Sequence, residues 1–296
     1  MNLIFKTYSL IVSLITVIII SVSCSKNSSL DFIKTTIDVE LLNEIRFVIG
    51  DSPTTKADIT SLDQMYVRCV KGQPGRIAET AVWQSIFTCE SSSSTNQFTG
   101  NKYWPSTDLK YNFYASNISM NASSSGTYLN VNTGTDVVVG FIEYLPEHYN
   151  NGIVPIQLNH IFSKIGYCKV TSPSGYTVSD LSVSILPYTN GKFYPYDRTW
   201  SDLTLASSPS IIANNLNSGT SKELYIIPGS YILTLSYTLT NTNNGKVESE
   251  TKYVELPFES GVKTNIILNI PPSNEPTSGG IIIGGWVDGG DIGETM

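Results

Sequence analysis

From Tyr231 onward, Tyr231, Leu233, Leu235, Tyr237 and Leu239 alternate with Thr234, Ser236, Thr238 and Thr240. A period of two places the large apolar side chains on one face of an extended chain, which a helix of 3.6 residues per turn does not do. Asn241 to Gly245 supplies turn residues, Lys246 to Leu256 reads as a second strand, and Val262, Thr264, Ile266, Leu268 and Ile270 line one side of a third, so a meander is expected here. Short apolar segments recur at Ile45 to Ile49, Met65 to Val70, Val82 to Thr88, Leu109 to Ala115, Asp136 to Ile142, Val154 to Leu158, Lys164 to Val170 and Leu181 to Leu186. No stretch of the body holds a helical period for three turns. Many short strands between Gly, Pro, Asn and Ser turns predict an all-β chain of sandwiches.

Length allows two domains. Pro146 to Gly152 reads as the linker, giving an N-terminal β-sandwich over 24–148 and a C-terminal one over 149–296. Glu90 to Lys102, Ser116 to Thr135 and Asn190 to Lys222 are polar and read as long exposed loops. Pro271, Pro272 and Pro276 separate the last strand from a detached apolar segment, with a terminal strand expected over 281–287. That segment must pair elsewhere.

The N-terminus sets the compartment. Lys6 precedes an apolar run from Leu10 to Ile20, about half the length a membrane-spanning helix needs. Residues 1–23 therefore read as a secretory leader. Ser21, Val22 and Ser23 stand directly before Cys24, the arrangement that lipoprotein processing needs for acylation of the thiol and cleavage in front of it. Cys24 is then the lipid-bearing first residue, holding the protein to the outer membrane; each buried acyl methylene contributes about 0.8 kcal/mol.

The chain carries 18 Lys+Arg against 25 Asp+Glu. Such a surface repels phosphate backbones, and nucleic acid is not an expected partner. His148 and His160 are the two histidines, and there is no CxxC, no HExxH and no phosphate-binding Gly loop, so no metal, cofactor or enzymatic activity is expected. His160 with Ser163 is a candidate hydrolase pair, but the sequence around it offers neither an acid partner nor a nucleophile elbow. With Cys24 assigned to lipid, Cys69, Cys89 and Cys168 remain, and two readings stand: a Cys69–Cys89 bridge, or three buried thiols. Phe193, Tyr194, Tyr196 and Trp200 form a dense aromatic stretch that reads either as a loop anchor or as a patch for a host or bacterial surface ligand such as a glycan.

Several segments resemble the fimbrillin family of the Bacteroidota, in particular its Mfa-like members. Thr54-Thr55-Lys56-Ala57, with Ser61-Leu62 and the strand after it, is similar to the family's Thr-Arg/Lys-Ala stretch. KYWPSTDLKYNFYA (Lys102 to Ala115), VPIQLNHIFSKIGYCKV (Val154 to Val170) and the closing GIIIGGWVDGG resemble further family elements in the same order. The resemblance implies two transthyretin-like sandwiches in tandem and a structural or accessory subunit of surface fimbriae that supports adhesion, with other fimbrial subunits as partners. It also implies a cut between Lys56 and Ala57 that removes the first strand with the lipid. A strand from a neighbouring subunit then takes its place, and Ile281, Ile282, Ile283 and Trp286 are the donor residues expected here, the other reading being that this strand pairs within its own domain. Lys56 stands where the family favours Arg, which leaves a permanently lipidated anchor as the other outcome. A monomeric glycan-binding lipoprotein acting through the aromatic stretch is the alternative reading.

Overall fold

The computed structural model describes residues 44–49, 62–75, 77–89, 97–104, 110–144, 152–216, 224–270 and 282–285. These residues form twenty strands, and among them no helix is long and apolar enough to cross a membrane. The all-β expectation holds. The leader, Cys24, Lys56, Ala57, most of the expected linker, Ile281 and Trp286 lie outside the described residues.

The first eight strands are β1 (Glu44–Ile49), β2 (Gln64–Lys71), β3 (Thr80–Cys89), β4 (Gln97–Tyr103), β5 (Tyr111–Ser116), β6 (Asn121–Ser123), β7 (Gly126–Asn132) and β8 (Val138–Tyr144). After them come β9 (Ile153–Ile156) and β10 (Asn159–His160). One sheet runs in the order β10-β8-β5-β2-β3-β4-β1-β9. Its two edge strands are joined by only Gln157 and Leu158, so the sheet rolls until its edges meet over one core. That core holds Ile45, Phe47, Met65, Val67, Cys69, Phe87, Phe98, Tyr111, Phe113, Val154 and Ile156. The closure is tight at Gly140: a Cβ there would lie 2.7 Å from the Gln157 carbonyl oxygen. β9 and β10 complete this sheet although they follow residue 148, where the sequence places the division between domains.

The remaining strands are β11 (Ser163–Thr171), β12 (Tyr176–Ile185), β13 (Tyr188–Tyr194), β14 (Thr199–Leu205), β15 (Ser210–Ala213), β16 (Leu224–Ile226), β17 (Gly229–Asn241), β18 (Val247–Phe258), β19 (Val262–Asn269) and β20 (Ile282–Gly285). Two four-stranded sheets, β16-β11-β19-β20 and β15-β12-β17-β18, face each other across Val170, Val183, Ile185, Leu233, Leu235, Ile266 and Leu268. Here the expected meander needs correction. β17 and β18 form a hairpin with twelve register pairs, but β19 leaves it and runs parallel to β11 in the opposite sheet. Crossing over lets Ile266 and Leu268 close the sandwich core from the other side.

A further sheet, β14-β13-β7-β6, draws strands from both halves of the chain. β13 pairs with β7 from Asn190 opposite Asn132 to Phe193 opposite Leu129, and Leu129, Phe162, Phe193 and Ile227 share a third core with Tyr114. The polar stretches read as loops are thus largely strands: β4 lies in Glu90 to Lys102, β6 and β7 lie in Ser116 to Thr135, and β13 to β15 occupy much of Asn190 to Lys222. Their backbones pair while one face stays in water, so hydrophobicity does not mark them.

β5 serves two cores because both its faces are covered. Tyr111, Phe113 and Ala115 enter the rolled sheet, and Tyr114 enters the third core. The Tyr114 hydroxyl donates to Glu79 Oε1, while the Thr127 amide and hydroxyl donate to Glu79 Oε2 at 3.1 and 2.5 Å. One carboxylate thereby fastens the segment before β3 to β5 and β7.

Candidate assembly site

β1 is the first of the described strands. It lies inside the rolled sheet, antiparallel to β4 on one side and parallel to β9 on the other. Alternation puts Ile45 and Phe47 fully inside, while Arg46 is exposed and pairs at 3.4 Å with Glu44. Phe47 meets Phe87 edge-on at 5.0 Å and Phe113 at 5.4 Å, with Trp83 and Trp104 packed around them. Lifting β1 out would uncover this aromatic cavity and, on both flanks, backbone groups that need partners.

The flanking strands depend on β1. Four register pairs join β1 to β4, against two between β3 and β4. β9 is the terminal strand of its sheet, and β1 is its neighbour in that ladder. Yet Val154 and Ile156 on β9 are fully buried. A strand in this place must therefore satisfy two ladders of opposite sense and present apolar side chains two residues apart.

At the other end of the chain, β20 folds back as the edge strand of its sheet. It runs antiparallel to β19, from Val262 opposite Gly285 to Asn265 opposite Ile282. The detached segment thus pairs with the strand that precedes it rather than with a distant one. Its outer edge carries no strand among the described residues.

The other expected sites are placed as follows. No Cys69–Cys89 bridge forms. Cys69 stands opposite Trp83 in the β2–β3 ladder, six residues from Cys89, which amounts to about 20 Å of strand; a disulfide needs Cα atoms about 5–6 Å apart. Burial pushes the Cys69 and Cys168 thiols up to about 12. The aromatic stretch is not a loop either. Phe193 and Tyr194 are buried on β13, and Trp200 on β14 stacks on Phe162 at 5.8 Å and packs on Phe193 at 4.9 Å. Tyr196, in the turn between these strands, is the exposed member, with its ring edge-on to Phe141 at 5.4 Å.

His160 and Ser163 do not face each other as a catalytic pair. Ser163 Oγ donates to the Val262 carbonyl at 3.0 Å. The buried His160 has Asp136 Oδ2 2.7 Å from its Nδ1, an acid partner that the sequence did not suggest because it lies just before β8, the strand beside β10, rather than near His160 in the chain. No group of three or more His, Cys, Asp or Glu able to hold a metal occurs among the described residues.

A family model described as fimbrillin-like matches residues 54–286. Among solved structures, a proposed cell adhesion protein of Parabacteroides distasonis ATCC 8503 aligns over 82% of this chain and 96% of its own, with 10% identity and a TM-score of 0.51. The fimbrial anchor protein Mfa2 of Porphyromonas gingivalis aligns over 82% of this chain and 97% of its own, with 13% identity and a TM-score of 0.40. No curated protein matches the sequence.

Proposed function

The chain belongs to the fimbrillin-like family, and from that premise we propose that it is a cell-surface fimbrial subunit, exported as a lipoprotein through Cys24 and joined to its neighbours by strand exchange. Two domains carry this role, the first ending in the rolled sheet and the second beginning with β11. Cleavage between Lys56 and Ala57 releases β1 with the lipid. The vacated place between β4 and β9 then takes the segment Ile281 to Trp286 of another subunit. The observation that carries this reading is the position of β1: an N-terminal strand lying inside a sheet, with a strand on each side, and carrying Ile45 and Phe47 in the core.

The donor meets the physical demand. Ile281 and Ile283 are spaced as Ile45 and Phe47 are, and each such side chain contributes about 1.5–3 kcal/mol when buried. Ladder hydrogen bonds to β4 and β9 supply the rest, since ordering a strand costs about 1–2 kcal/mol per residue. Adhesion follows from display on a fibre rather than from a catalytic step. The test is deletion of Ile281 to Met296: surface polymer recovered from cells disappears while the subunit still reaches the envelope. Polymer of unchanged length overturns the donor assignment.

A further inference from the structure

A cavity of about 230 Å3 lies where the rolled sheet meets the turn between β13 and β14. Its apolar floor is Val139, Ile161 and Phe193, all buried, and the rings of Phe141 and Tyr196 stand at its side. Gln157, Asn159 and Arg198 bring two amides and a guanidinium to the same space. The volume is below the roughly 300–1,000 Å3 of a drug-sized site and suits a single ring.

Arg198 ends the turn between β13 and β14 at φ 56°, a left-handed conformation that serves the chain reversal. The neighbouring Asp197 carboxylate is committed to the Thr199 amide and hydroxyl, at 3.2 and 2.6 Å. Arg198 is exposed at the rim of the cavity, in a chain of net charge −7.

We propose that this cavity receives one acidic sugar ring, a pyranose bearing a carboxylate, as the terminal unit of a surface glycan. The aromatic rings cover the apolar face of the sugar, the Gln157 and Asn159 amides meet its hydroxyls, and the Arg198 guanidinium takes the carboxylate. This site uses neither Tyr194 nor Trp200, which are committed to internal packing.

The test titrates sodium glucuronate, glucose and sodium acetate separately into the full chain, followed by saturation-transfer NMR. Glucuronate binds, glucose binds about tenfold more weakly, the size of one charge-assisted contact, and acetate weaker still. Arg198→Gly keeps the fold, because glycine takes a positive φ without strain, and lowers glucuronate affinity about tenfold while leaving glucose unchanged. Tyr196→Ala weakens both sugars. No saturable binding of glucuronate, equal affinity for acetate, or an Arg198→Gly variant that binds as the parent does would each overturn the proposal.

Discussion

Phe47 on β1 stands opposite Val154 on β9 in a parallel ladder, and through that pairing the N-terminal strand holds the segment leading into the second half of the chain. Because β9 is the terminal strand of its sheet, losing β1 removes its ladder while Val154 and Ile156 still need cover. In a chain beginning at Ala57, amide hydrogen exchange across 153–156 is expected to rise toward the rate of open chain. Adding a peptide of residues Ile281 to Asp288 should restore protection there and across β4. Protection that persists without either strand would show that β9 is held by other means.

Phe47→Ala is expected to lower the unfolding free energy of the uncleaved chain by about 3–5 kcal/mol, since it opens a cavity against Phe87 and Phe113. Arg46→Ala, one position away on the exposed side, should stay within about 0.5 kcal/mol. Urea denaturation of the two variants checks the contrast.

Glu79→Ala leaves the Tyr114 hydroxyl and the Thr127 amide and hydroxyl without their shared acceptor. A buried donor left unsatisfied costs about 1–3 kcal/mol, so a loss of that order is expected, with Glu79→Gln milder because one amide oxygen still accepts. Pairing Glu79→Ala with Tyr114→Phe in a double-mutant cycle should recover part of the loss.

The fold should lose stability in alkali. Burial pushes the Cys69 and Cys168 thiols from 9.0 to about 12, and it pushes the Tyr231 and Tyr237 hydroxyls from 10.0 to about 12. Tyr114 is raised further by burial and then by its hydrogen bond to Glu79. Raised acids stay protonated in the folded state where the unfolded chain has already released its protons. Their contribution is therefore complete below about pH 9 and declines as pH rises from 9 toward 12. Thermal melts at pH 8, 10 and 11.5 should fall in that order, and a flat profile would contradict the burial of these groups.

The same burial predicts thiol behaviour. Cys69 and Cys168 should resist alkylation in the native protein and react fully in denaturant, with no mobility change on reduction. A reduction-sensitive band from a monomer would restore the bridge that the strand register disfavours.

Much of this architecture was legible in the residues. The alternation from Tyr231 marked β17, and the short apolar segment Leu109 to Ala115 marked β5. What stayed hidden was set by pairing across the chain. β13 and β14 read as loop because their outward residues are Asn, Lys, Ser and Thr, and β7, the strand that pairs with β13, lies some sixty residues earlier. The parallel course of β19 beside β11 is invisible locally, because alternation reports a buried face but not the neighbour. Asp136 beside His160 and Tyr196 beside Phe141 are likewise products of pairing between distant segments. Around β1, the apolar segment Ile45 to Ile49 was plain, while its parallel pairing with β9 was not.

In the proposed assembly β1 is temporary. N-terminal sequencing of the subunit recovered from purified surface fibres tests this. Ala57 is expected as the first residue, with β1 and the lipid gone; fibres whose subunits begin at acylated Cys24 would overturn strand exchange at this site.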